Sequence, residues 1–275
     1  MPKPIQVKKS ILENLYLKKG LGSYEIARAL NCSQTCVISK LKSFSIPTRS
    51  IQEAKSLAAP KYKRNDFRGN LFEKAYMIGF RLGDLYITKT HPNSPTIRIQ
   101  TNTTKKEQII LMERLFSKYG HFRVYPVDRR GARSVRVFVN TSFEFLCPKS
   151  DLVPDWIEKN QVLFCSFLGG YIDAEGSFIS KQNTAFTIQS QDKNILFSIF
   201  QFLNRSGVDC APPQISRLAG SKMNDIISRK NVYSLRIYNR ENLIKLIELI
   251  ESNIMHSKRK ADMNKVLKKL NYVRT

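Results

Sequence analysis

The sequence predicts an α+β fold: a pseudo-twofold duplicated αββαββα core with two signature helices at the seam, preceded by a small all-α unit. Two observations predict the core. Residues 75–87 (AYMIGFRLGDLYI) and 167–178 (FLGGYIDAEGSF) share one layout, an apolar run of helix length closing on a carboxylate. The landmarks after the first run then recur in the same order after the second, as an internal duplication requires. A third observation predicts the leading unit: residues 1 to about 50 hold three short amphipathic segments separated by turn residues.

Aligning Gly79 with Gly170 sets Phe80 on Tyr171, Gly83 on Ala174 and Asp84 on Glu175. Small residues four apart share a helix face and let another backbone approach closely. The two helices are therefore expected to pack with Gly79 and Gly83 against Gly170 and Ala174. Each carboxylate then lies at a helix C-terminus, where the dipole is already negative. Pairing the helices brings Asp84 and Glu175 together against their mutual repulsion. Stability does not ask for that arrangement. Divalent cations would, because hard ions a few ångströms apart share carboxylates and clamp a phosphodiester.

The 275 residues suffice for two domains, or for one larger domain with an appendage. A hydrophobic share of 42% supports real cores, and 46 Lys+Arg against 22 Asp+Glu leave a net charge of +24. Such an excess points to a polyanion, with the duplex phosphate backbone as first candidate. Cys32, Cys36, Cys147, Cys165 and Cys210 are scattered, and His91, His121 and His256 do not complete a zinc site with any of them. Free thiols in a reducing compartment are expected. Nor do the histidines anchor a Ser/His/Asp or Cys/His arrangement. There is no secretion-signal succession and no apolar run of membrane-spanning length. The chain reads as soluble and intracellular, in cytoplasm or nucleoid, with an organelle also open.

Along the chain, residues 8–19 form a first helix with Ile11, Leu12, Leu15 and Leu17 as its apolar set. Ser23 is placed to cap a second helix over 24–30, with Ile26, Ala27 and Leu30 inward, and Ser33 to cap a third over 34–44. The spacing of Ala27, Asn31 and Val37 resembles a helix-turn-helix: a small packing residue, a turn residue tolerating positive φ, and a buried branched residue. Gln34, Thr35, Ser39, Lys40 and Lys42 would then point outward, suited to base edges and phosphates. Residues 51–70 read as a basic linker, with Pro60 and the run Lys61, Lys63, Arg64 and Arg68. Tracking a phosphate backbone and lying solvated are both open to that run.

The first repeat spans 71–160 and the second 161–275. After the first signature helix come a strand over 96–102, a helix over 105–119, strands over 122–127 and 135–140, and a short helix near Phe143. After the second come a strand over 185–191, a helix over 193–204, a strand over 233–238 and a helix over 242–251. Alternation sends Ile97, Ile99, Val135, Val137, Phe186, Ile188, Leu235 and Ile237 inward. It sends Arg98, Gln100, Asn102, Arg136, Thr187, Gln189, Gln191 and Arg236 outward. This outward set is long, polar or cationic and holds no acid, as a sheet lying in a major groove needs.

Both signature runs resemble the paired motif of the LAGLIDADG homing endonucleases, in their single-chain, two-repeat form. Leu168, Gly170, Ile172, Asp173, Ala174, Glu175 and Gly176 fit the motif. The first run keeps Gly79, Gly83 and Asp84, but has Arg81, Leu82 and Leu85 where the motif has an apolar residue, an acid and a glycine. The resemblance implies a site-specific double-strand DNA endonuclease, a monomer lying along a long target with one acid per half-site. Asp84 and Glu175 would each bind a divalent ion, Mg²⁺ by oxygen preference with Mn²⁺ able to substitute, helped by the Gly83 and Ala174 carbonyls. Asn102 and Gln191 would stand near the attacking water. A basic residue after the last helix of each repeat would complete each site, Lys258 (or the adjacent Arg259) in the second half and Lys149 in the first. Two rival roles accompany the resemblance: a DNA-binding regulator without cleavage, and an RNA maturase of a group I intron.

Overall fold

A computed structural model of the chain describes residues 6–50, 53–54, 62–89, 92, 94–223 and 226–271. Helices α1 (Lys9–Glu13, continued by a π-helical turn Asn14–Lys18), α2 (Ser23–Ala29) and α3 (Gln34–Ser43) enclose a core of their own. The first helix buries Leu12 and Tyr16, while Ile11 and Leu17 face solvent, so its inward stripe is not the one expected from the sequence. The π-turn rotates the following side chains, and Arg49 fixes the result by stacking on the Tyr16 ring at 4.1 Å. Ser23 is the first residue of α2 and not its cap; that end is closed by Glu25, whose Oε2 accepts from Gly22 N at 2.7 Å. Ser33 does cap α3, accepting from Cys36 N at 3.2 Å, and Asn31 makes the turn with φ +52°. Ala27 and Val37 are buried, and Gln34, Thr35 and Ser39 are exposed with Lys40 half-buried.

The core begins with α4 (Leu71–Asp84), whose N-cap Asn70 accepts from Glu73 N at 2.9 Å. Strands β1 (Tyr86–Lys89) and β2 (Ile97–Thr103), helix α5 (Lys106–Phe116), and strands β3 (His121–Val127) and β4 (Arg133–Val139) follow. A 3₁₀ turn over Thr141–Leu146 and the short α6 (Asp155–Glu158) close the first half. The second half repeats the plan with α7 (Gln161–Glu175), β5 (Gly176–Ile179), β6 (Ala185–Ser190), α8 (Lys193–Arg205), β7 (Gln214–Arg217), the hairpin β8 (Lys222–Met223) and β9 (Ile226–Ile227), and β10 (Val232–Ile237). Helices α9 (Arg240–Ile250) and α10 (Ser257–Lys269) end it. Each half has a four-stranded antiparallel sheet, ordered β1-β2-β4-β3 and β5-β6-β10-β7.

The inward residues expected from alternation are buried, and one hydrophobic core runs through both halves and the two signature helices. Helix α7 is buried continuously from Leu163 to Ala174. A helix apolar all round is a central one.

Three further features depart from the sequence reading. Residues 62–70 are not free linker. Phe67 inserts among Tyr119, Phe143 and Phe145, Phe67 N donates to Ser142 Oγ at 2.8 Å, and Asn65 N to Tyr119 O at 2.8 Å. Arg64 is spent on Pro95 O and Thr96 Oγ1, whereas Lys63 and Arg68 stay exposed. Lys61 lies outside the described residues. Strands β1 and β5 were too short to show a period, and β7 is an edge strand whose Ile215 is 50% exposed, so alternation gives it no signature. Finally, Lys258 sits in the first turn of α10 and not in a loop.

Candidate active site

The seam is a backbone-to-backbone contact. A Cβ built on Gly79 would fall 2.0 Å from Phe167 O, and one on Gly170 would fall 2.1 Å from Tyr76 O. Only glycine leaves room for that approach. The crossing brings together the last helical residues, Asp84 and Glu175. A Cβ on Gly83 would meet Ala174 Cβ at 2.4 Å, Glu175 Cγ at 3.0 Å and Glu175 Oε1 at 3.5 Å.

Burial dominates the chemistry of both acids. It pushes Asp84 up to about 6, although the Arg259 charge and a hydrogen bond from Gln108 work the other way. Burial pushes Glu175 up to about 7, reinforced by the charges on Asp84 and Asp192 and opposed by Lys149 and Arg259. Both carboxyls are thus held above the ordinary carboxylate range, and a charge on Asp84 resists ionisation of Glu175. Two desolvated, like-charged carboxylates are a costly feature that a bound cation would reverse.

The basic residues are arranged across the halves. Lys149, at the end of the first repeat, bears on Glu175 and Asp192 of the second; Arg259, near the end of the second, bears first on Asp84 of the first and also on Glu175. Lys258 is instead committed to Asp262 on its own helix. Of the two basic residues to which the sequence points at this place, the structure brings Arg259 to bear on both acids. A helix turns about 100° per residue, so Lys258 and Arg259 cannot both face the seam, and the Nε of Arg259 is buried without a hydrogen-bond partner.

Asp173 explains how Arg259 arrives there. Its buried carboxylate accepts from Tyr76 OH at 2.5 Å, Met255 N at 2.7 Å and His256 N at 2.9 Å. Burial raises its pKa and these donors oppose the rise. One side chain thus ties α4 and α7 to the start of α10. The equivalent place in the first half is Leu82, and there the buried Arg81 does the tying with opposite polarity, donating from Nε to Leu146 O at 2.9 Å and from Nη1 to Leu85 O at 2.5 Å. Leu85 replaces the motif's glycine without conflict because its side chain joins the core, whereas a Cβ on Gly176 would fall 2.7 Å from Ile172 Cγ2.

Asn102 is exposed in β2, and Gln191 is exposed one residue beyond β6. On the outer face, Arg98 Nε donates to Thr88 Oγ1 at 3.1 Å, Arg136 lies over the Tyr125 ring at 4.4 Å, and Arg236 donates to Ser234 Oγ at 2.8 Å and Tyr238 OH at 3.3 Å. Gln100 is half-buried and Gln189 exposed. Thr187 differs: its hydroxyl is buried without a partner between Ser177 and Arg236, its neighbours on β5 and β10.

Two neighbours of the acids, Gln108 and Asp192, are not among the residues to which the sequence points. Gln108 had a legible signal, since with Leu111, Met112 and Leu115 it occupies the buried stripe of α5. A polar residue on such a stripe needs a partner. Here the partner is Asp84, with Gln108 Nε2 donating to Oδ2 at 2.7 Å.

No family model matches the sequence, and no curated protein does. Among solved structures, the chain is similar to the homing endonuclease I-DmoI in complex with DNA and Ca, with a TM-score of 0.52 and 20% identity over 70% of this chain and 97% of that one. The chain has the LAGLIDADG homing-endonuclease fold. The homing endonuclease I-WcaI bound to its DNA recognition sequence follows with a TM-score of 0.49 and 14% identity over 74% of this chain and 88% of that one. In the LAGLIDADG fold of this chain the signature helices are α4 and α7. Among the described residues, no three His, Cys, Asp or Glu side chains are grouped to hold a metal ion, and no helix is long and apolar enough to cross a membrane.

The raised acids give a pH test. A carboxyl whose folded pKa lies above its unfolded value contributes stability below the unfolded value and loses it as pH rises through the folded one. Here those limits are 4.5 and about 7 for Glu175. Without divalent ions, Tm of Glu175→Gln minus Tm of the parent should grow as pH rises from about 4.5 to about 7 and then level off. A difference independent of pH would refute the burial of this carboxylate.

Proposed function

We propose that the chain is a site-specific, divalent-metal-dependent endonuclease of double-stranded DNA. The carrying observation is the paired carboxylates at the seam, forced together by glycine contacts and left with raised pKa values. Their donor set fits a hard cation: carboxylate oxygens from Asp84 and Glu175, with the Gly83 and Ala174 carbonyls beside them. Two side-chain carboxylates are few for one ion, which suits a site completed by phosphate oxygens of the substrate. Bound Mg²⁺ or Mn²⁺ would supply charge neutralisation at the phosphodiester and activate the attacking water.

The chain's own residues do the rest. Asn102 and Gln191 offer amides that orient the water, and Arg259 and Lys149 stabilise charge developing on phosphate oxygens. The outer sheet faces, with Arg98, Gln100, Arg136, Gln189 and Arg236, contact base edges, one sheet per half-site. The +24 charge holds the backbone. The three N-terminal helices form a helix-turn-helix that presents Gln34, Thr35, Ser39 and Lys40 to DNA outside the core footprint. The long target is engaged by a monomer.

The test is a cleavage screen of plasmids carrying random inserts, and of the uninterrupted allele of any gene that hosts this reading frame, with Mg²⁺ against EDTA. Mg²⁺-dependent linear product supports the reading. Specific binding with intact plasmid favours a regulator, and tight binding to folded intron RNA over duplex favours a maturase. Within the nuclease reading, Arg259→Met should slow cleavage by roughly 10²-fold and Lys258→Met by less than about twofold. The reverse order would return the role to Lys258.

A further inference from the structure

We propose that Gln108 is a positioning residue for Asp84, and that its absence from the other half makes the two strands of the target react at different rates. This rests on the nuclease reading above. Gln108 stands third in α5, is buried, and donates from Nε2 to Asp84 Oδ2 at 2.7 Å. A carboxylate can only accept, so the amide nitrogen and not its oxygen faces Asp84. The bond restrains the carboxylate's rotation and occupies Oδ2, leaving Oδ1 as the oxygen without that donor.

The second half has no such device. Ile195 stands third in α8, fully buried and apolar, and no hydrogen bond reaches the Glu175 carboxylate among the described residues. The residue that approaches Glu175 from that helix end is Asp192, itself held by Ser190 and Tyr171, and it repels. Glu175 also carries one more methylene than Asp84 and thus one more free torsion. One acid is clamped and the other is loose, although the backbone of the seam is nearly symmetric. Misplacement of a reacting group by a fraction of an ångström is costly in rate, so the clamped half is the faster one.

The experiment uses full-length protein and a duplex selected from a random library by the parent, with each strand end-labelled separately. Gln108→Met keeps the volume and removes the donor. A hydrogen bond to a charged group is worth about 10- to 100-fold. The variant is expected to lose that factor on one strand only, so that the strand ratio collapses toward one, while duplex Kd stays close to parental and Tm falls by no more than the few degrees that one lost hydrogen bond accounts for. Calorimetric titration of the protein–duplex complex with Ca²⁺ should show weakened binding at one site, which does not depend on turnover. Equal slowing of both strands, an unchanged strand ratio, or unchanged Ca²⁺ binding overturns the proposal. A parent that selects a duplex but cuts neither strand with Mg²⁺ or Mn²⁺ overturns the nuclease reading itself, and that failure appears before any variant is made.

Discussion

Asp84→Asn is expected to abolish double-strand cleavage while leaving duplex affinity within about twofold, and Glu175→Gln to do the same. Each change is nearly isosteric and removes a ligand charge at the centre of the seam. Electrostatic stabilisation of a transferring phosphate is typically worth about 4 kcal/mol per well-placed group, or roughly 10³-fold in rate. Affinity has a different source. It comes from the basic sheet faces and the net charge of +24, and removing one buried negative charge does not diminish either. Linearisation needs both strands cut, so by that measure the double variant should be little worse than either single one. Plasmid linearisation with Mg²⁺ and a gel-shift titration measure the two quantities. Parental linearisation by either variant would remove the acids from the mechanism.

The duplicated plan, the pairing of Gly79 with Gly170, the meeting of Asp84 and Glu175 and the strand faces were legible because each is a local pattern repeated. Period two assigns Ile97 and Ile99 inward without any knowledge of partners, and a glycine four residues from a small residue states a close contact directly. Interactions that cross from one half to the other carry no local pattern. Arg259 differs from Lys258 by one position in a run of basic residues, and the anchoring of residues 255 and 256 by Asp173, which sets which of them turns toward the acids, carries no local pattern. The exchange of Asp173 for Arg81 as the tie is equally invisible, since Arg81 in sequence looks like a defect in the motif. Residues 62–70 read as linker because Phe67 stands between Arg64–Asp66 and Arg68–Asn70 with no apolar period around it, and its pocket is built by residues far along the chain.

Gly170→Ala should cost at least about 3 kcal/mol, the upper part of the range for an overpacked core, and lower Tm by roughly 10 °C. The added methyl would sit 2.1 Å from Tyr76 O and 2.9 Å from Phe80 N. Both are backbone atoms, so no side-chain rotation relieves the clash and the helices must part by more than an ångström. Parting them strains the Tyr76–Asp173 hydrogen bond and opens the buried faces of α4 and α7 along their length. Gly79→Ala meets Phe167 O at 2.0 Å and should behave alike. Because either methyl forces the same separation, the second should add much less than the first: the double variant is expected to fall well short of the sum. Differential scanning calorimetry of the four proteins decides this. Additive losses would mean that the two glycines relax independently, and a parental Tm for Gly170→Ala would mean that the helices do not touch. The same separation draws Asp84 away from Glu175, so a folded Gly170→Ala protein should bind DNA but cut it poorly.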